Sequence, residues 1–130
     1  MGTLGTLALA LVLALPADQP DLRNAIGEIR YQQAVDNLLI GLGSGNDGLR
    51  RSSAYMLGEI KSDEAVIPLM RALKSGKDER TQIAAAFSLC KIGDARGVFA
   101  VKQEVRFSDS EKVRNSCLWF YNQYAEGGTY

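Results

Sequence analysis

Histidine is absent from all 130 residues. Imidazole general-base catalysis, Ser-His and Cys-His nucleophiles and histidine-ligated metals are therefore excluded within this chain. Cysteine is nearly absent too: Cys90 and Cys117 stand alone, with no CxxC pair, so neither a zinc site nor a disulfide framework is supported. They read as small buried apolar side chains. An excess of one charge is also lacking, since 15 basic residues meet 15 acidic ones. The two signs are interleaved, as in Lys77-Asp78-Glu79-Arg80 and Glu111-Lys112. Counterion release on a phosphate backbone needs clustered Lys and Arg, so a nucleic-acid partner is not expected. Long hydrophobic runs are missing as well. Residues 4–15, LGTLALALVLAL, form an apolar run of about twelve residues where a bilayer span needs roughly twenty.

That run has the length of a secretory h-region. Small residues suit cleavage at 12–14 and again at Ala17, before the polar Asp18-Gln19. We read 1–17 as a signal peptide and 18–130 as the folded domain, which predicts an exported, periplasmic or secreted protein with no stable membrane span after leader removal. No cysteine follows the run, so a lipoprotein anchor is not expected. The competing expectation is that 1–17 form a helix capping the end of the fold, in a cytoplasmic protein.

What is present is a repeat. Shifting the chain by 32 superposes residues 49–60 (LRRSSAYMLGEI), 81–92 (TQIAAAFSLCKI) and 113–124 (VRNSCLWFYNQY). Leu57, Leu89 and Tyr121 then coincide, as do Ala54, Ala86 and Leu118, and Ile60, Ile92 and Tyr124, at a spacing that keeps one helix face. A shift of 31 adds an earlier unit, laying Ile26-Gly27-Glu28-Ile29 over Leu57-Gly58-Glu59-Ile60. Second helices are expected over 33–42, 64–74 and 95–106, because Val35, Val66 and Val98 match, followed by Leu38, Leu69 and Val101, then Leu42, Leu73 and Val105. The units are 18–47, 48–79, 80–111 and a half unit at 112–126. Asp47, Asp78 and Ser108 or Asp109 are the expected caps of the first helices, and Ser62 or Asp63 and Asp94 those of the second. Ser108 with Glu111 resembles a capping box.

The stretch AYMLGEIKSDEAVIPLMRAL, residues 54–73, resembles the short HEAT repeat named after phycobilisome lyases. Leu49-Arg50 stand at its Val-Arg place, Met56-Leu57-Gly58 at its Ala-Leu-Gly place and Ala65-Val66-Ile67-Pro68-Leu69 at its second-helix signature. Lys91-Ile92-Gly93-Asp94 and Val113-Arg114 repeat parts of it. Cys90 departs from the pattern at the packing glycine, and Thr81-Gln82 depart at Val-Arg. The resemblance implies an all-α solenoid of about three and a half stacked helix–turn–helix units. It carries over no cofactor and no bilin-handling residue. It implies a protein partner held on a concave surface lined by the second helices.

On those second helices, Asp36, Leu39, Ile67, Met70, Arg71, Phe99, Lys102 and Gln103 remain after the core positions are removed. They are the candidate partner-binding residues, with Leu39, Ile67, Met70 and Phe99 forming an apolar groove edged by Asp36, Arg71, Lys102 and Gln103. Burial of the same side chains in the core is the alternative. Tyr55, Phe87 and Trp119 recur at 32 on the first helices and are expected to stack between neighbouring repeats. Residues 112–126 supply a first helix without a second, so Trp119, Phe120 and Tyr121 either close that end or pair with another chain, giving self-association. Glu28 and Glu59 are expected on solvated helix surface.

Aligning Cys117 with Ala85 leaves it five positions from Cys90, about 7.5 Å along the helix, and a lateral spacing of about 8–10 Å adds to that. Two free thiols are expected. The leading function is a non-catalytic protein-interaction module or scaffold. The alternatives are an accessory subunit or lyase-like enzyme acting on a cofactor-bearing protein, or a fragment of a longer repeat protein.

Overall fold

A computed structural model describes residues 20–75 and 78–128, with side chains from residue 24 onward. The proposed signal peptide, 1–17, lies outside the described residues. The described residues form six α-helices and no strand: α1 (Pro20–Leu42), α2 (Asp47–Glu59), α3 (Val66–Lys74), α4 (Glu79–Ile92), α5 (Ala95–Phe107) and α6 (Glu111–Ala125). The chain divides into two units, Met1–Gln33 and Ala34–Tyr130. Of the first, Pro20 onward is described and is helical. The second contains the core and every site discussed below.

The helices begin where short polar side chains replace missing amide partners. Asn46 Oδ1 accepts from Leu49 N at 2.9 Å, Asp78 Oδ1 from Arg80 N at 3.1 Å and Ser110 Oγ from Val113 N at 3.2 Å. These three caps, at 46, 78 and 110, keep the 32-residue shift, and Asp94 caps α5 by accepting from Arg96 N. The expected caps Asp47 and Ser108 or Asp109 are thus corrected: Asp47 lies in the first turn and pairs with Arg50, and Ser108 Oγ instead accepts from Ser110 N. Ser62 stands at the cap position of a 3₁₀ turn, Asp63–Ala65, but makes no side-chain cap bond. Pro68 falls within the first turn of α3, where its missing N–H costs little.

The expected turn between 29 and 33 does not form, and α1 is assigned continuously across it. The corresponding turn after α2 places Lys61 in the left-handed region, φ 49°, and is followed by Ser62 and Asp63. Ile29-Arg30-Tyr31-Gln32 contains no Gly, Asn, Asp or Ser to break a helix, so the helical path continues.

Within Ala34–Tyr130, α2, α4 and α6 lie side by side as one layer, and α3 and α5 form the second, with α3 packed on α4 and α5 on α6. The repeat-matched apolar positions meet between the layers. Leu57, Leu89, Val66, Leu69, Leu73, Val101 and Val113 are fully buried there. Close approach within the first layer depends on small residues. A Cβ on Gly58 would stand 2.7 Å from the Cα of Ser88, so α2 and α4 touch backbone to backbone at that point. Leu118, aligned with the fully buried Ala54 and Ala86, is 45 % exposed, since no described helix follows α6 to cover it.

Candidate functional site

The second-helix face is built by the register of α3 and α5. Val66 and Val98 point into the core, so the residue after each, Ile67 and Phe99, points away from it, and they are 40 % and 61 % exposed. Sequence periodicity left core or surface open for this pair, and the structure places both on the surface. Leu39 and Met70, the other members of the expected groove, are half-buried against the core. Among the edge residues Asp36 and Arg71 are exposed and Gln103 is half-buried. Lys102 is exposed but leans onto α6, with Nζ 5.6 Å from the centre of the Tyr121 ring. Leu39 and Arg71 also line a smaller hollow of about 270 Å³ with Leu42, Arg50, Pro68 and Thr81. The apolar surface on this face is therefore narrower than expected and centres on Ile67 and Phe99.

The first-helix face carries more connected aromatic surface. Tyr55 on α2 and Phe87 on α4 stack at 5.2 Å with an interplanar angle of 8°. The third rung is Phe120, whose ring meets Phe87 edge-on at 5.6 Å. Trp119, the residue expected there, instead meets Phe120 edge-on at 5.4 Å and is 57 % exposed. A shift of one position on α6 turns the side chain by roughly 100° about the helix, which separates covering a neighbour from facing water. Beside the ladder lies a groove of about 630 Å³ between α2 and α4, with Tyr55, Met56, Ile83, Ala84, Phe87 and Phe120 as its apolar lining. Arg51, Ser52 and Arg80 are its polar lining. Periodicity pairs Tyr55 with Phe87 but did not single out this groove, because the matched positions Arg51 and Ile83, and Met56 and Phe120, differ in chemistry.

Polar groups on the two layers hold helices together. Arg50 donates to Ser44 O at 2.9 Å, Gln82 Nε2 to Leu73 O at 2.8 Å and Arg114 to Ser108 O at 2.6 Å. Residues 50, 82 and 114 share one repeat position, so Gln82, a departure from the Val-Arg pattern, performs the same task as the arginines. Lys91 pairs with Glu59 from the neighbouring repeat and its ammonium lies 5.4 Å from the Phe87 ring centre. Glu59 is exposed, as expected, and this partner lowers its carboxyl pKa. The Thr81 hydroxyl does the same for Asp78, and the Arg96 side chain for Asp94. Burial shifts Glu104 the other way, above the ordinary carboxylate value. Glu59, Asp78 and Asp94 sit at separate caps and pairs, and no group of metal-ligating side chains gathers among the described residues. Cys90 and Cys117 are both buried and free, and burial pushes both thiols up to about 12.

A family model for HEAT repeats matches residues 10–90, more than half of the chain, and the chain belongs to the HEAT-repeat family. Its fold is an all-α arrangement of stacked helical repeats. HEAT repeats generally serve as scaffolds for protein interaction. No curated protein matches the chain. Among the described residues no helix is long and apolar enough to cross a membrane.

Proposed function

We propose that the protein is a non-catalytic interaction module that holds a protein partner on its second-helix face, with Ile67 and Phe99 as apolar contacts and Asp36, Leu39, Met70, Arg71, Lys102 and Gln103 around them. The observation that carries the reading is that two large apolar side chains occupy the same repeat position on adjacent helices and both remain exposed. Folded proteins scatter single apolar side chains over their surface, but a pair aligned by the repeat forms one patch across two units. Polar and charged neighbours at its edge resemble the rim of a protein interface. The residues 1–17 support export as the setting in which this module works. The exposed Trp119 and Leu118 on α6 support self-association as a further contact.

The test is affinity capture from the native organism's extract, using the unmodified protein beside an Ile67→Asp, Phe99→Asp variant whose helicity is verified by circular dichroism. A partner held by the unmodified protein and lost with the variant supports the reading. Equal capture by both refutes the second-helix face as the contact surface. Determining the N-terminus of the protein recovered from the cell envelope tests export, since a start at residue 1 in the cytoplasm refutes it.

A further inference from the structure

The groove on the first-helix face lies on the layer opposite the proposed partner surface, and its chemistry differs. Its body is apolar and aromatic: Tyr55 and Phe87 form a stacked wall, and Met56, Ile83 and Ala84 complete the lining. Its volume of about 630 Å³ falls in the range of small-molecule sites, roughly 300–1,000 Å³. A Met side chain in such a lining is deformable and adapts to the shape of a ligand.

The two cations that line the groove differ from Arg50, Lys91 and Arg114 of the same layer. Arg50 is tied to Asp47 and to Ser44 O, Lys91 to Glu59, and Arg114 to Ser108 O. Two acids at the N-terminal end of α4 are also occupied. Asp78 accepts from the Thr81 hydroxyl and Glu79 accepts from the Ser110 hydroxyl at 2.6 Å. Arg51 and Arg80 form no ion pair among the described residues, although both line the groove. Arg51 lies one turn before Tyr55, and Arg80 lies one turn before Ile83 and Ala84, so both arginines stand at positions toward the helix N-termini. Positive charge beside an apolar trough is complementary to a ligand with an apolar body and an anionic head. Guanidinium groups bind carboxylate, sulfonate or phosphate oxygens with two parallel hydrogen bonds, and the neighbouring apolar lining strengthens such bonds by excluding water.

We propose that this groove is a binding site for a small amphipathic anion, an aromatic or acyl body lying along Tyr55, Met56, Ile83 and Phe87 with its acidic head on Arg51 and Arg80. The site is independent of the second-helix face, so the protein presents a ligand site and a partner surface on opposite layers.

The probe is anilinonaphthalene sulfonate, an aryl body with one sulfonate, titrated into the full-length protein and followed by its fluorescence. Saturable binding at one site is expected. Dodecanoate, below its micelle-forming concentration, displaces the dye, and dodecyltrimethylammonium with the same chain and the opposite charge does not. Arg51→Gln with Arg80→Gln weakens binding about tenfold or more, on the usual scale for hydrogen bonds to charged groups. Ala84→Phe fills the groove, leaves both arginines in place and abolishes binding, while Ile67→Ser with Phe99→Ser leaves it unchanged. Each variant is first matched to the unmodified protein in helical content. Dye binding that survives both the arginine exchange and the filled groove overturns the site. Binding lost on filling but indifferent to the arginines and to the charge of the competitor overturns the anionic ligand and leaves an apolar groove for a partner's helix.

Discussion

Gly58 and Ser88 are pressed against each other between α2 and α4. A Cβ on Gly58 would lie 2.6 Å from the Ser88 Cβ and 2.7 Å from its Cα, and Ser88 Oγ donates to Ala54 O at 2.6 Å across the same interface. Substituting Gly58→Ala gains up to about 1 kcal/mol of helix propensity, yet the clash involves backbone and cannot be relieved by a rotamer change. The expected net loss is about 1–3 kcal/mol in urea unfolding, the scale of overpacking. A Gly58→Ala protein as stable as the original contradicts the close approach.

Lys61 and Gly93 occupy one repeat position and share one conformation, φ 49° and φ 78°. For a side chain other than glycine that region costs about 1–2 kcal/mol. Lys61→Gly is expected to stabilise the protein by up to about 1 kcal/mol, because the relief of strain exceeds the added freedom of the unfolded chain. Gly93→Ala is expected to lose about 1–2 kcal/mol. Paired thermal melts check both, and shifts of the same sign refute the shared strain.

Most of the repeat was legible because its signals are local. The apolar positions 66, 69 and 73 and their partners at 98 and 101 follow one helical face, and Leu57 and Leu89 follow another; all prove buried. The caps show what a mixed shift obscures. A 31-residue shift favours Asp47, whereas the 32-residue shift that aligns the later units points to Asn46, Asp78 and Ser110, the residues that accept the free amides. The missing turn near Arg30 was legible in principle, since apolar similarity to 57–60 carries no turn residues with it. The aromatic groove was not. It joins like positions of different repeats, Tyr55 with Phe87 and Met56 with Phe120, but Arg51 and Ile83 share a position and differ in chemistry, so the periodic pattern shows the aromatic pair and not the groove around it.

Ile67 and Phe99 offer a direct measure of surface against core. Replacing both by Ser removes apolar side chains that are already largely in water. The expected destabilisation is within about 1 kcal/mol, the scale of surface substitutions. Leu69→Ala, at a fully buried neighbour on α3, is expected to cost about 2–5 kcal/mol. Comparable losses from the two changes, measured by chemical denaturation, would return Ile67 and Phe99 to the core.

Cys90 and Cys117 are free and buried, and their thiols are pushed up to about 12 by burial. In the unfolded chain a thiol ionises near pH 8.5. Because the folded value is the higher one, the stability contributed by these neutral thiols is complete below the unfolded value. It is lost as pH rises from about 8.5 toward 12, where the unfolded chain gains thiolate that the folded one refuses. Unfolding by urea should therefore become easier above about pH 9, and a Cys90→Ala, Cys117→Ala protein should show less of that alkaline loss. Iodoacetamide at neutral pH should leave the intact mass of the native protein nearly unchanged and add two adducts in urea without reductant. Rapid native alkylation contradicts the burial, and failure to alkylate in urea contradicts the free thiols.

Gln82 is 7 % exposed, and its Nε2 reaches the carbonyl of Leu73 at 2.8 Å near the C-terminal end of α3. That carbonyl belongs to the last turn of α3, where intrahelical donors have run out. Gln82→Ala therefore removes a buried donor and leaves an acceptor short of a partner, for an expected loss of about 1–3 kcal/mol. The corresponding Arg114 reaches its carbonyl from a half-buried position, where water replaces the lost donor, so Arg114→Ala should cost less. Gln82→Glu separates the hydrogen bond from side-chain size. Above its carboxyl pKa the isosteric side chain places negative charge against the Leu73 oxygen and should destabilise more than Gln82→Ala does. Below that pKa the protonated carboxyl donates again, and stability should recover relative to Gln82→Ala. Urea unfolding of the three proteins at two pH values reads this difference. If Gln82→Glu and Gln82→Ala keep the same relative stability at both pH values, the bond to Leu73 does not join these helices.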